Sequence, residues 1–351
     1  MRTPDLNWIK DPRVFQVNRL HAYSDHIYTI GKDKKPSSFS LNGTWKFNTT
    51  KNYDSCFKFF YNTEFNDTNW NDIQVPGHIQ LQGFDNPHYT DVTYPWDGHD
   101  VVKPGQIDMD KNKVYQYRKT FDCPQDFIGN KLILSFEGAE SNIYVWLNGK
   151  FIGYSEDSFT PSRFDITKYT QEKDNVLCVR IFRKCTGTWL EDQDMWRFTG
   201  LFRDVMIYKQ PSLHIQDLKI DTDIDLDTNK SVLSCICKMS SNESHTLQAK
   251  LYDPQGNIVW NGNMQDTFEI PVENTCLWSS EFPNLYQLEL VLYDTNNEII
   301  ETIQEQVGFR KFTLEYGIMK LNGKRIVFHG INRHEWDSKT GRCLSQEQME
   351  E

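Results

Sequence analysis

Asn148-Gly149 stands between two short apolar runs, Ile143-Tyr-Val-Trp-Leu147 and Lys150-Phe-Ile-Gly-Tyr154, and no other feature narrows the fold as much. A two-residue loop of this kind needs positive φ at both positions, which Asn and Gly accept, and it joins antiparallel strands. Similar turn chemistry returns in Leu321-Asn-Gly-Lys324 and in Tyr252-Asp-Pro-Gln-Gly256. Between such turns, residues 41–47, 131–137, 143–147, 176–182 and 204–208 read as alternating or short continuous apolar stretches, which are strand patterns. Helical periodicity is scarce until Ser345-Gln-Glu-Gln-Met-Glu-Glu351, where Ser345 is placed to cap a helix and Gln348 to complete the capping box. The expected class is mostly β.

With 351 residues, the length suggests two or three domains. Lys209-Gln-Pro-Ser212 interrupts the strand pattern and marks a boundary near Pro211. Beyond it, runs at 213–222, 230–239, 247–252, 268–272 and 286–293 have the number and spacing of an immunoglobulin-like sandwich. From residue 312 the character changes again. Strand-like stretches at 318–321 and 325–329 are followed by Gly330-Ile-Asn-Arg-His-Glu335 and then by the capped helix start, the succession that opens an α/β unit.

Charge and composition narrow the partners. Lys plus Arg number 38 against 49 Asp plus Glu, a formal net charge of -11, and this field repels nucleic acid and anionic membranes. An aromatic content of 14% in an acidic chain suits neutral polyols, whose C–H faces stack on rings while carboxylates accept from hydroxyls. The eight cysteines are scattered without a CxxC pair, so reduced thiols are expected rather than disulfides or a zinc site. The first residues lack an apolar signal region, and a cytoplasmic protein is the simplest expectation.

Several motifs, in order along the chain, resemble the family-two glycoside hydrolases and more narrowly their large beta-galactosidases. They are Val75-Pro-Gly-His-Ile-Gln-Leu-Gln-Gly-Phe-Asp85, Asn86-Pro-His-Tyr-Thr-Asp-Val-Thr-Tyr-Pro95, Phe136-Glu-Gly-Ala-Glu140, Trp189-Leu-Glu-Asp-Gln-Asp-Met-Trp-Arg197 with Gly200-Leu-Phe-Arg-Asp204, Leu277-Trp-Ser-Ser-Glu-Phe-Pro-Asn-Leu-Tyr286, Val307-Gly-Phe-Arg310 and Gly330-Ile-Asn-Arg-His-Glu335. The resemblance implies an N-terminal extended segment (1–40), a jelly-roll sugar-binding sandwich (41–210), an immunoglobulin-like sandwich (211–311) and the first unit of a (β/α)8 barrel (312–351). Asn18, in the first of these, matches a segment that in relatives runs toward other subunits.

The resemblance also implies a site. Asp194, flanked by Met195, Trp196 and Trp189, matches a carboxylate that ligates sodium and touches galactose; read on its own, it is more readily a structural ion pair with Arg197 or Arg203. Asp91 stands where the family usually has Asn, keeping the acceptor and losing two amide donors, and it could also serve only its own turn. His334 matches a residue that lines the sugar pocket as a transition-state contact, while Asn332 and Arg333 would shape the floor. Trp189 and Trp196 read as sandwich core more than as sugar platforms, and Glu335 as structural. His329 and His334 lack the spacing of a zinc pair.

The implied activity is hydrolysis of terminal non-reducing β-D-galactosides with retention, with sodium and magnesium as ions and an oligomer possible. Such chemistry needs two carboxylates about 5–5.5 Å apart, and a complete barrel needs about 250 residues. Residues 312–351 cannot form one. Competing readings are a stand-alone carbohydrate-binding module, a subunit complementing a separate barrel chain, or the same part of a beta-glucuronidase. The stretch 259–277 is too short for the long loop that in relatives reaches a neighbouring subunit. The 351-residue chain alone is expected to show no turnover of a nitrophenyl β-galactoside; sustained release of nitrophenol by contaminant-free protein overturns this.

Overall fold

A computed structural model of the chain describes residues 3–23, 27–31, 37–94, 102–103, 105–191 and 194–350. Two compact units emerge. The first gathers the residues up to His21, Ser38–Lys209 and the stretch from Arg333; the second gathers Ala22–Ser37 and Gln210–Asn332.

In the first unit a seven-stranded antiparallel sheet runs in the order Gln16–Val17, Lys150–Glu156, Asn142–Leu147, Asn175–Phe182, Val114–Phe121, Gly43–Thr50 and Asn71–Val75. A second sheet is ordered Ser162–Asp165, Lys131–Phe136, Val205–Gln210 and Ser38–Ser40. Every residue of Asn142–Leu147 and Asn175–Phe182 is buried. The two-residue period of a strand explains how. Leu177, Val179 and Ile181 join the core cluster that includes Leu134, Phe136 and Ile207 of the second sheet. Val176, Cys178 and Phe182 point the other way into a separate cluster.

That outer layer is built from the 3-10 helix Leu6–Lys10 and the segment 53–70. Trp8 stacks on Tyr144 (6.0 Å, 8°) and Tyr61 on Trp146 (5.1 Å, 5°). Arg180, 3% exposed, lies over Tyr53, Phe60 and Trp146 at 5.1–5.2 Å from their centroids. A strand covered on both faces reads as a continuous apolar run, as 143–147 does and as 176–182 does but for Arg180. Asn18 is tied to the sandwich of its own chain, its amide donating to Ile152 O (2.9 Å).

The second unit packs a three-stranded sheet (Ile215–Asp225, Lys230–Met239, Thr267–Glu273) and a five-stranded sheet (Ile27–Ile30, Ile299–Val307, Tyr286–Tyr293, Thr246–Tyr252, Ile258–Met264) around one core that includes Leu233, Ile270, Leu251, Leu288 and Ile303. Thr267–Glu273 alternates strictly between exposed and buried, the mark of a sheet with one wet face. Ile27–Ile30 adds an edge strand from the far N-terminal side of the sequence. The expected turns form: Asn148 and Gly149 have φ of 50° and 75°, Asn322 and Gly323 of 51° and 76°.

Phe312–Glu315, Ile318–Leu321 and Lys324–Arg325 form a small meander. The strand expected over 325–329 ends at Arg325. Ile326 N still donates to Met319 O (3.1 Å), but no described strand pairs with residues 327–329, and Val327 and Phe328 are 61% and 71% exposed. The helix Gln346–Glu350 is capped as expected, with Gln348 N donating to Ser345 Oγ (3.2 Å) and Ser345 N to Gln348 Oε1 (2.9 Å). All eight cysteines are free thiols. Among the described residues no helix is long and apolar enough to cross a membrane.

Glu301 is buried in the second unit and accepts from Ile215 N–H (2.5 Å). Burial pushes its carboxyl up to about 7 against that hydrogen bond. The folded unit therefore keeps a proton that the unfolded chain releases at a carboxylate's ordinary value. The contribution of this group is fully present below about pH 4.5 and is lost as pH rises toward 7, by on the order of 3 kcal/mol. Glu301→Gln should flatten this slope in urea titrations between pH 4.5 and 7.5; an unchanged slope refutes the assignment.

Candidate functional site

The loop after Asn71–Val75 starts the site. Gly77 N donates to Leu201 O (2.8 Å) and Ile79 N to Thr199 O (3.0 Å), extending the sandwich edge. Gln80 and Thr199 exchange two hydrogen bonds, at 3.0 and 3.1 Å. The loop ends on Asp85, whose side chain is fully enclosed. It accepts from Tyr115 OH (2.5 Å), pairs with Arg183 (3.0 Å) and also binds Lys113 Nζ. Burial alone would raise its carboxyl, but Arg183, Lys113, Tyr115 and the Asn86 N–H together hold it below the usual carboxylate value.

From this anchor the chain runs into His88–Thr90, which pairs antiparallel with Met195–Arg197; Thr90 faces Met195, Tyr89 faces Trp196 and His88 faces Arg197. Asp194 N donates to Asp91 O (3.1 Å), so the pairing carries the two sequence-predicted carboxylates to one place. Asp194 has a φ of 53° and accepts from Tyr89 OH (2.6 Å) through Oδ1, a bond that raises the phenol's pKa. Both aspartates are exposed. Arg197, buried beneath, bonds Thr90 Oγ1 (3.1 Å) and Glu191 O (3.0 Å), tying both strands from below.

The tryptophans divide. Trp189 is buried and donates to Gln106 O (3.0 Å), as a core residue should. Trp196, expected in the core, is 41% exposed and lies beside Tyr89 (5.5 Å, 50°). The reason is register: it is the middle residue of a two-stranded ribbon, so its side chain turns away from the face on which Arg197 and Thr90 are buried. Tyr94, against Trp189 at 5.4 Å, extends the aromatic surface.

His334 is exposed in a groove of about 390 Å³ whose lining also includes Met195, Phe159, Arg203 and Arg342. The groove thus joins His334 to the strand that follows Asp194. Arg333 lines it and pairs with Glu335 (3.2 Å); Asn332 is exposed. Sequence reasoning gave no role to Glu140, Arg342 or His78, all within quoted motifs or beside them. Nothing in their immediate sequence sets them apart, Arg342 standing in the polar run Lys339-Thr-Gly-Arg342, because their partners lie far away along the chain. Glu156 also has its carboxyl raised by burial, but Tyr154, Thr186 and the Gly187 N–H occupy its oxygens (2.5–2.9 Å), which marks a structural acid.

The arrangement presents carboxylate acceptors and ring faces to solvent, which suits holding a polyol. Among the described residues no group of three or more His, Cys, Asp or Glu is arranged to hold a metal. Asp85→Asn should cost about 2–4 kcal/mol at pH 7, because Lys113 and Arg183 lose their counter-charge. Since the folded carboxyl is depressed, the stabilisation is present above the unfolded value and lost as pH falls through the folded one. Denaturant midpoints of the two proteins should therefore converge in acid, and a constant gap counts against it.

Three models of one family match successive parts of the chain. The glycosyl hydrolases family 2 sugar binding domain covers residues 39–211, the central family 2 domain 213–310, and the family 2 TIM barrel domain 312–351. A beta-galactosidase of Halalkalibacterium halodurans is 46% identical across 98% of this chain and 35% of its own length. A beta-galactosidase large subunit of Leuconostoc lactis is 41% identical across 98% and 58%. The chain spans about a third to three fifths of the length of the curated relatives it matches. Among solved structures, a Bacteroides uniformis beta-glucuronidase aligns with a TM-score of 0.70 at 21% identity over 88% of this chain and 37% of that one. A Ruminococcus gnavus beta-glucuronidase aligns with 0.70 at 18% over 93% and 52%. At these identities the structures share the fold alone. Three consecutive domains of a single family, tiling residues 39–351 almost without gaps, carry the assignment: the chain belongs to the glycosyl hydrolases of family 2.

Proposed function

We propose that this chain is the N-terminal part of a beta-galactosidase and supplies one wall of its galactose site. The observation that carries the reading is the pairing of His88–Thr90 with Met195–Arg197, which brings Asp91, Asp194, Tyr89 and Trp196 together. In that wall Asp91 and Asp194 accept from sugar hydroxyls and Trp196 and Tyr89 offer ring faces. His334, from the groove beside Met195, contacts the sugar as charge develops at its anomeric carbon. The acid/base and nucleophilic carboxylates of a retaining mechanism come from barrel strands outside residues 1–351.

The curated relatives at 37–46% identity, named as beta-galactosidases or their large subunits, support galactoside over glucuronide. Electrostatics supports it too: a glucuronide carries a carboxylate, and two aspartates on the wall repel it. Sodium would take one oxygen of Asp194, the other being held by Tyr89, with its remaining ligands outside the described residues. Magnesium would sit in the barrel part. The large-subunit name of the Leuconostoc lactis relative supports an assembly with a second, smaller chain, and eight free thiols fit a reducing cytoplasmic setting.

A chimera tests the reading, with residues 1–351 replacing the matched part of the Halalkalibacterium halodurans enzyme. It should hydrolyse nitrophenyl β-galactoside and not the β-glucuronide, and Asp194→Ala should lower kcat/KM by about 100-fold or more. Equal activity of that variant, or preference for the glucuronide, would falsify the proposal.

A further inference from the structure

Arg342 lies in the segment matched by the barrel model, yet its contacts are to the sandwich. Its guanidinium pairs with Glu140 (2.9 Å), and the two side chains are 11% and 2% exposed. The same nitrogen donates to Trp196 O (3.3 Å). The planar cation lies near Phe159, Phe198 and Phe202, 5.2–5.8 Å from their centroids. Its backbone N–H donates to His78 Nε2 (3.1 Å), and His78 stacks on Phe198 at 4.3 Å. Each end of this network belongs to the candidate site. Glu140 pairs in register with Gly200, Trp196 follows Asp194 by two residues, and His78 sits in the loop that Asp85 anchors.

The neighbours of Arg342 are shaped to admit it. Gly341 has a φ of 64°, and a Cβ there would meet His78, Leu81 and Phe198 at 2.8–3.2 Å. Trp336, six residues earlier, stacks on Phe198 (5.4 Å, 19°). Between Trp336 and Arg342 the chain closes a tight loop in which Asp337 and Gly341 exchange backbone hydrogen bonds (2.8 and 2.9 Å). The groove holding His334 is therefore bounded on one side by the Asp194 strand and on the other by a segment that Arg342 pins to that strand.

We propose that Arg342 is a positioning residue, which sets the sugar-facing strand Met195–Arg197 and the His334 segment in register with each other through Glu140 and the Trp196 carbonyl. It acts through Trp196, Asp194 and His334 and touches no substrate. Only its effect on substrate binding rests on the galactosidase reading. One guanidinium nitrogen donates to both acceptors while the planar group stays among three rings; Lys retains the charge and loses the planar group that the rings surround.

The test has two arms. In the 351-residue chain labelled with 5-fluorotryptophan, the Trp196 and Trp336 fluorine lines are assigned with Trp196→Phe and Trp336→Phe. Arg342→Met should shift or broaden both lines, and Arg342→Lys should move that of Trp196. Arg203→Met, which removes a neighbouring guanidinium bonded to Phe159 O, should leave them in place. Unmoved lines in both Arg342 variants, or equal movement in the Arg203 variant, overturn the proposal. In the chimera, Arg342→Lys should raise KM for nitrophenyl β-galactoside about tenfold with kcat within about threefold; an unchanged KM with a smaller active fraction indicates a merely structural role and also overturns it. An inactive parent chimera would strike the galactosidase reading and leave the fluorine arm to decide on Arg342.

Discussion

Burial of the central strands of the seven-stranded sheet on both faces is the constraint from which the rest of the first unit follows. A strand such as Asn175–Phe182, with no residue at solvent, needs two layers of apolar partners. One is the second sheet; the other is an aromatic cover of Trp8, Phe60, Tyr61 and Trp70 drawn from segments with little regular structure. With the centre so held, the loops at the sheet's end start from a fixed base. Binding residues on such loops inherit their geometry from the scaffold.

Charge inside this unit is used for fastening. Asp85, Glu140, Glu156 and Arg197 are all enclosed, and each bonds backbone or opposite charge. An enclosed charge without partners is costly, so each imposes one arrangement on its loop. The exposed aspartates are left with acceptor capacity facing solvent, where hydroxyl groups can reach it.

Much of the fold was legible beforehand because turn chemistry is local. Asn148-Gly149 and Asn322-Gly323 adopt the positive φ values their residue types favour, and Ser345 and Gln348 cap the helix they precede. Asp91, Asp194 and His334 were recognisable by resemblance, though neither their meeting point nor their partners could be read from spacing: Asp91 and Asp194 lie a hundred residues apart. The strand expected over 325–329 stops at Arg325 because a pattern describes one chain segment, whereas a strand requires another beside it. Trp196 failed as a core residue because exposure is set by the face it takes in a pairing, which apolar character does not reveal.

What residues 1–351 determined by themselves is the β class, the position of the turns and the succession of family 2 segments, since each depends on neighbours a few residues away. Tertiary structure decided which charges became fasteners. Arg342 and Glu140, two hundred residues apart, meet only once the sandwich has closed, and Tyr89 reaches Asp194 only through the register of two strands. Long-range pairing carries no local signature, because the energy that selects it arises from burial and hydrogen bonding between elements already formed.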